Sequence, residues 1–251
     1  MIKGETGRFI QVIVLCVLFA GPLICLPVAA APVAISGPTV ITAPGNYVLT
    51  RDIVSSSTVR CIEIRAPNVV FDGQGHLISG SGQSGTSGVY VASGLSSGPV
   101  TIRDVRVKNW DQGITISTTR ASIERCSATE NTQGITLRFA AGTRITGCTA
   151  SNNTRMGLDL HDTTRAVLTR NTLTGNAAGV GLLTSPGATV YSNTITKNTW
   201  GVVAESSNNP VIKNNLFVLN GEAIVLSHSA GAVISGNRII PPVGSGEGGA
   251  E

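Results

Sequence analysis

The chain has 251 residues, of which 30 are Gly, 4% are aromatic and 13% are charged, and its formal charge is +4. That length suits one sizeable domain, and the mild charge, scattered without a dense basic patch interleaved with aromatics, excludes a nucleic-acid surface. Usage weighted toward Gly, Ser, Thr, Asn and Val favours strands and tight turns over amphipathic helices.

Lys3 and Arg8 precede an apolar stretch from Phe9 to Leu26 and then the small residues Val28, Ala29, Ala30 and Ala31. Residues 1–30 read as a secretory signal. Left uncleaved, the same stretch approaches the ~20 residues that span a bilayer and would anchor the chain. The expected location is therefore secreted, periplasmic or cell-surface, with membrane contact only through an uncleaved leader. Cleavage after Ala30 removes Lys3, Glu5 and Arg8 and lowers the formal charge from +4 to +3. Residues 31–240 are the expected folded domain, opening on an N-terminal cap over 36–53, and 241–251 are a flexible tail without apolar periodicity.

The body of the chain repeats. Taking one apolar residue per unit as a mark gives Ile102, Ile123, Ile145, Leu168, Val190, Ile212 and Ile234, spaced 21 to 23 residues apart. Three residues after the mark stand Val105, Cys126, Cys148, Asn171, Asn193, Asn215 and Asn237; eight after it stand Trp110, Asn131, Asn153, Asn176, Asn198 and Asn220. Stacked Asn can bond both to a turn and to the same amide one coil away, so these columns predict two structural ladders. A Gly column follows at Gly113, Gly134, Gly157, Gly179 and Gly201, with Ala223 closing it, and is expected to let the chain turn tightly.

After each Gly comes a short alternating strand, such as ITIS from Ile114, LDLH from Leu158 and IVLS from Ile224, whose first and third residues point inward. A fixed period built this way predicts an all-β, right-handed parallel β-helix of about 22 residues per coil and about seven or eight coils. Leucine-rich repeats need a Leu framework and a helical turn in each unit, and helical repeats do not tolerate recurrent Gly, Asn and Thr. Upstream, NVVFDGQGHLISG from Asn68 fits an earlier coil, and the 32 residues from Val70 to Ile102 imply an extra Gly/Ser-rich loop. The Gly80, Gly82, Gly85 string in that loop leads into strand-like GVYV rather than a helix, so it lacks a dinucleotide-binding context.

The lead-in TAPGNYVLTRDI, then CIEIRAPNVVFDGQGHLISG and the Asn/Gly coils, resembles the NosD-type β-helix family, often labelled periplasmic copper-binding, over residues 36–240. The resemblance implies an exported β-helix. It does not bring copper with it: Met156 is the only Met beyond the leader and the three His lie in separate coils, so soft ligands are not clustered. No cofactor is expected.

One string carries candidate chemistry: Gly157, Leu158, Asp159, Leu160, His161, Asp162. Leu158 and Leu160 face inward, which puts Asp159 and His161 on the outer face and Asp162 at the next turn. GLDLHD resembles the DPHD signature of mannuronan C5-epimerases, which implies His161 as a catalytic base. Leu160 replaces the Pro of that signature, Met156 its preceding Tyr, and no Arg stands at the matching strand end of the following coil, LLTSP. Proton removal beside a uronate carboxylate also needs a cation. Arg138, at the position equivalent to His161 one coil earlier and ~4.8 Å away by strand spacing, fits that role, with Glu205 two coils later. A calcium site on Asp159 and Asp162 is a further alternative. Polar outward positions occur on any exported β-helix, however, and the neighbouring Thr115, Thr136, Gly181, Val203 and Val225 offer little to grip a charged polymer. Tyr90 is a candidate for sugar stacking, and His76 and His228 read as turn decoration.

Beyond the leader stand Cys61, Cys126 and Cys148, an odd number that argues against a disulfide framework. No CxxC or HExxH string suggests zinc. The reading that follows is an exported noncatalytic β-helix, serving as cell-surface structure or as a platform contacting a polysaccharide or surface glycan. The alternative is a uronan C5-epimerase or lyase working on the face around His161.

Overall fold

The computed structural model describes residues 31–95 and 98–242; the expected leader and most of the expected tail lie outside the described residues. All the regular structure described is β, in three parallel sheets of ten, nine and nine strands. The first sheet runs from Val33–Ile35 to Val233–Ser235 and the second from Ile53–Ser56 to Arg238–Ile240. The third, from Thr39–Ile41 to Glu222–Ser227, includes the longest strands, among them Gln133–Arg138, Met156–His161, Ala178–Leu183 and Trp200–Glu205. We call it the long-strand sheet. Each coil contributes one strand to each sheet, giving a β-solenoid of about nine turns.

The repeat mark is the register of the first sheet. Ile102 pairs with Ile123, and the column continues through Ile145, Leu168, Val190 and Ile212 to Ile234. From Ile102 to Ile212 every one of these side chains is 0% exposed, and burying each aliphatic contributes ~1.5–3 kcal/mol. Upstream the column is one residue off expectation, because Ile102 pairs with Phe71 and Val70 with Thr101. Since successive residues alternate faces, Phe71 is the one that enters the core.

The expected cap is itself coil. Thr39–Ile41, Gly45–Leu49 and Ile53–Ser56 each join a different sheet, so the turns exceed seven or eight. Hydrophobic alternation is enough to place these strands, but they lack the Asn and Gly columns by which later coils announce themselves.

The ladders are continuous. In the first, Asn193 Oδ1 accepts from Asn171 N and Nδ2 at 2.9 and 3.0 Å, while Asn193 Nδ2 donates to Leu168 O, Tyr191 O and Asn215 Oδ1 at 2.9, 3.2 and 3.0 Å; Asn237 receives the same pair of bonds from Asn215. The second passes from Asn131 through Asn153, Asn176 and Asn198 to Asn220 in the same way. Trp110 N–H donates to Asn131 Oδ1 at 3.0 Å, and its indole N–H satisfies Ile78 O. Cys148 N–H donates to Asn171 Oδ1 and Cys126 N–H points at Cys148 Sγ, 3.4 Å away. Cys61, Cys126 and Cys148 are free and buried.

The Gly column does not make the turns. Gly113, Gly134, Gly157, Gly179 and Gly201 lie within or against the long strands, where a Cβ on Gly134 would sit 2.5 Å from Gly157 O and one on Gly113 2.6 Å from Gly134 O. They permit coil-to-coil approach. The turning is done by left-handed residues, mostly not Gly: one coil uses Asp162, Arg165, Arg170 and Gly175, with φ of 49°, 55°, 55° and 68°. Ala223, last of the Gly column, has no described coil beyond it. Around it the core is open to solvent, with Leu226 39%, Ile234 47% and Ile239 55% exposed.

Candidate functional site

The outward face of the long-strand sheet changes character along the axis, and three rows of side chains define it. The central row runs Glu63, Tyr90, Thr115, Thr136, Asp159, Gly181, Val203, Val225. One flanking row includes Gln112, Gln133, Met156, Ala178, Trp200 and Glu222, and the other Arg138, His161, Leu183 and Glu205.

In the middle of this face, Arg138 and His161 are register partners on adjacent coils. Asp159 projects to the same side as His161, but it is 0% exposed, whereas sequence alternation alone places it at the surface. Its neighbours close over it. Asp159 Oδ2 accepts from Gln133 Nε2 at 2.5 Å, and Oδ1 lies 3.0 Å from His161 Nε2 with no hydrogen-bond donor aligned on it. Thr136 Oγ1, one coil earlier, is likewise buried without a partner. Burial raises the Asp159 carboxyl above the usual range, against the opposing pull of His161, Arg138 and Arg155. The His161 side chain remains 30% exposed. Asp162 stands apart: it is exposed at a left-handed corner, its N–H bonded to Leu183 O. Among the described residues, no three His, Cys, Asp or Glu side chains gather as metal ligands do.

Toward the N-terminal end the face is closed by ion pairs. Arg60 and Arg65 hold Glu63 at 2.5 and 2.9 Å, and hydrogen bonding from Arg65 is the main cause that lowers the Glu63 carboxyl below its ordinary range. Arg60 also stacks 3.6 Å over the Tyr90 ring. Tyr90 therefore does not present that ring face to a sugar, a correction to the reading from sequence, which had no way to see the cation above it. His76 pairs with Asp52 at 3.0 Å, and His228 contacts the Ser227 hydroxyl at 2.9 Å.

Toward the C-terminal end the face turns apolar. Met156 lies over Gly181, where any Cβ would collide with its sulfur. Met156, Ala178, Trp200, Val203 and Val225, with Arg155 at the margin, line an open groove of about 410 Å³. Trp200 is 41% exposed. The alternating residues after each Gly do not reveal this groove. The signal lay one position before the Gly, in the column Gln112, Gln133, Met156, Ala178, Trp200.

The sequence matches the family described as right handed beta helix region over residues 67–199 and 164–248. The chain belongs to the right-handed β-helix family. No curated protein matches it in sequence. Among solved structures this β-helix is similar to the Dettilon tailspike protein, with TM-score 0.62 and 13% identity over 84% of this chain and 55% of that one. It is similar also to the enzymatically active domain of bacteriophage CBA120 tailspike protein 2, with TM-score 0.62 and 16% identity over 81% of this chain and 38% of that one. A third similar structure is DFA-IIIase from Arthrobacter chlorophenolicus A6 in complex with GF2, with TM-score 0.54 and 18% identity over 66% of this chain and 45% of that one. The β-helix thus spans about half or less of each neighbour, and at these identities the likeness is one of fold.

Proposed function

We propose that this protein is an exported, noncatalytic β-helix that lays a glycan along the outward face of the long-strand sheet. The observation that carries the reading is Trp200, 41% exposed in an apolar groove on the same outward face as the polar His161 and Arg138, two and three coils away. A sugar ring has an apolar face that stacks on an indole and a hydroxyl rim that needs polar partners, and this face supplies both within a few rungs. The tailspike and DFA-IIIase likenesses are in keeping with a carbohydrate ligand, and the NosD-like lead-in with export. The noncatalytic part rests on the departures from the epimerase signature, Leu160 in place of its Pro and Leu183 where an Arg would end the strand of the following coil, and on Asp159, whose carboxyl has no exposed surface to offer a bound polymer.

A second reading, a uronan C5-epimerase or lyase, is favoured by one arrangement: the buried Asp159 carboxyl lies 3.0 Å behind His161 while Arg138 stands beside it in register. A single set of measurements separates the two. The protein is incubated with uronate polymers while C5 proton exchange and unsaturated products are followed, and glycan binding is measured in parallel. Binding without turnover, lost in Trp200→Ala, supports the platform; turnover lost in His161→Ala replaces it with the enzyme; neither binding nor turnover across neutral and acidic glycans removes both.

A further inference from the structure

The corner that joins the long-strand sheet to the first sheet carries a column of left-handed residues: Arg120, Gly142, Arg165, Gly187, Asn209 and Gly231, with φ of 58°, 69°, 55°, 70°, 55° and 70°. Large residues alternate with Gly, and the reason is steric. The Arg120 stem comes within 3.9 Å of where a Gly142 Cβ would stand, and the Arg165 stem within 3.5 Å of a Gly187 Cβ. Each long side chain folds over a bare Gly on the next coil.

Between the two arginines this alternation leaves a cleft of about 280 Å³, lined by Thr119, Arg120, Ala141, Gly142, Thr164 and Arg165. Both guanidiniums are exposed and neither forms an ion pair or a side-chain hydrogen bond among the described residues. The Thr119 and Thr164 hydroxyls are also without partners. Asp162, three residues before Arg165, is exposed and makes no ion pair with it. The corner between the first and second sheets repeats the alternation as Arg125, Gly147 and Arg170, with φ of 51°, 64° and 55°, but there Arg125 grips Asp104 in a fork at 2.8 and 2.7 Å. One arginine of that stacked pair is thus neutralised, whereas both arginines over Gly142 are free of ion pairs among the described residues.

We propose that the cleft over Gly142 is an oxyanion site that takes a phosphate or sulfate group between Arg120 and Arg165. Two rungs of ~4.8 Å separate the two Cα atoms, within the span over which two arginine side chains converge on one tetrahedral anion. Guanidinium forks match such an anion's oxygens, the threonine hydroxyls supply neutral donors, and the missing side chain of Gly142 lets the anion approach the backbone. Placing the anion there also relieves the repulsion between like charges. The site stands apart from the glycan reading, and the group it takes is either free or an ester on a sugar.

The test is titration of the protein with inorganic phosphate, inorganic sulfate and glucose 6-phosphate at constant ionic strength, followed by amide shifts of Gly142 and Thr164. Saturable shifts are expected with all three, and tighter binding of the sugar ester identifies the esterified source. Because Gly already serves this column, Arg120→Gly combined with Arg165→Gly is expected to keep the fold and to weaken binding at least about tenfold. Arg125→Gln, at the corner between the first and second sheets, is expected to leave it within about twofold. If the double variant does not fold, Arg120→Gln alone carries the test, with an expected loss of about threefold. Shifts that do not saturate, or that persist unchanged in the arginine variants, overturn the proposal.

Discussion

Asp159 and His161 stand two residues apart on one strand and face the same side of the sheet, 3.0 Å apart, yet the carboxyl is 0% exposed and the imidazole 30%. A raised carboxyl has a definite consequence for stability. In the acid range above pH ~3.9 the unfolded chain ionises this group before the folded chain does, so folding stability is highest below that pH and falls as pH rises through the folded pKa. Asp159→Asn keeps an acceptor for Gln133 and removes the ionisation. The variant is expected to gain stability relative to the wild type as pH rises from 4 to 7 in thermal melts. A difference that stays constant across that range contradicts the buried-acid assignment.

Asn193 bonds to three carbonyl oxygens and to both nitrogens of Asn171, in buried surroundings except at Tyr191 O, which is partly buried. Asn193→Leu leaves those groups unpaired and is expected to cost ~1–3 kcal/mol for each buried partner lost, less any relaxation. Thr196 is half-buried and shares one hydroxyl contact of 2.8 Å with Thr174, so Thr196→Leu is expected to cost less. Urea unfolding of the two variants decides the point, and equal midpoints would show that the ladder contributes nothing special.

A methyl on Gly134 would stand 2.5 Å from Gly157 O and 3.3 Å from Ala150 Cβ, whereas one on Gly37 meets nothing within 4 Å. Gly134→Ala is accordingly expected to cost ~1–3 kcal/mol by overpacking, and Gly37→Ala to be neutral or slightly stabilising. Chemical denaturation of both checks the claim that the Gly column serves close approach.

Cys126 and Cys148 stack on adjacent coils, and burial pushes the Cys126 thiol well above the ordinary cysteine range. In-register parallel neighbours point their Cβ atoms the same way, a poor start for the ~90° dihedral of a disulfide. Mass spectrometry of unreduced protein, alkylated after denaturation, is expected to find both thiols free and slow to react in the native state. A linked 126–148 peptide as the main species would mean that the coils shift readily against each other.

The sequence carries the fold because a stacked coil must satisfy the same geometry at the same place every 22 residues or so, and Ile145, Leu168 and Val190 answer one constraint three times. The same logic makes Asn131 to Asn220 legible. It fails at the N-terminal coil, where Leu49 and Ile41 fill the core without an accompanying Asn or Gly. The outward face is harder to read, since no repeated constraint acts on it. Asp159 reads as exposed because alternation fixes only direction; Gln133 and His161, which cover it, act from neighbouring positions that alternation does not weigh. Arg60 over Tyr90 is hidden for the same reason, and Trp200 lay in a column that carries no inward residue.

Ala223 closes the Gly column, and its consequence is one of length. Every Gly before it accepts the carbonyl of the coil above at a distance no methyl tolerates. A further coil laid down in the same register would bring its own carbonyl onto the Ala223 methyl. Any strand docking on this end, from this chain or another, must therefore leave the register that the Gly column keeps through the coils before it.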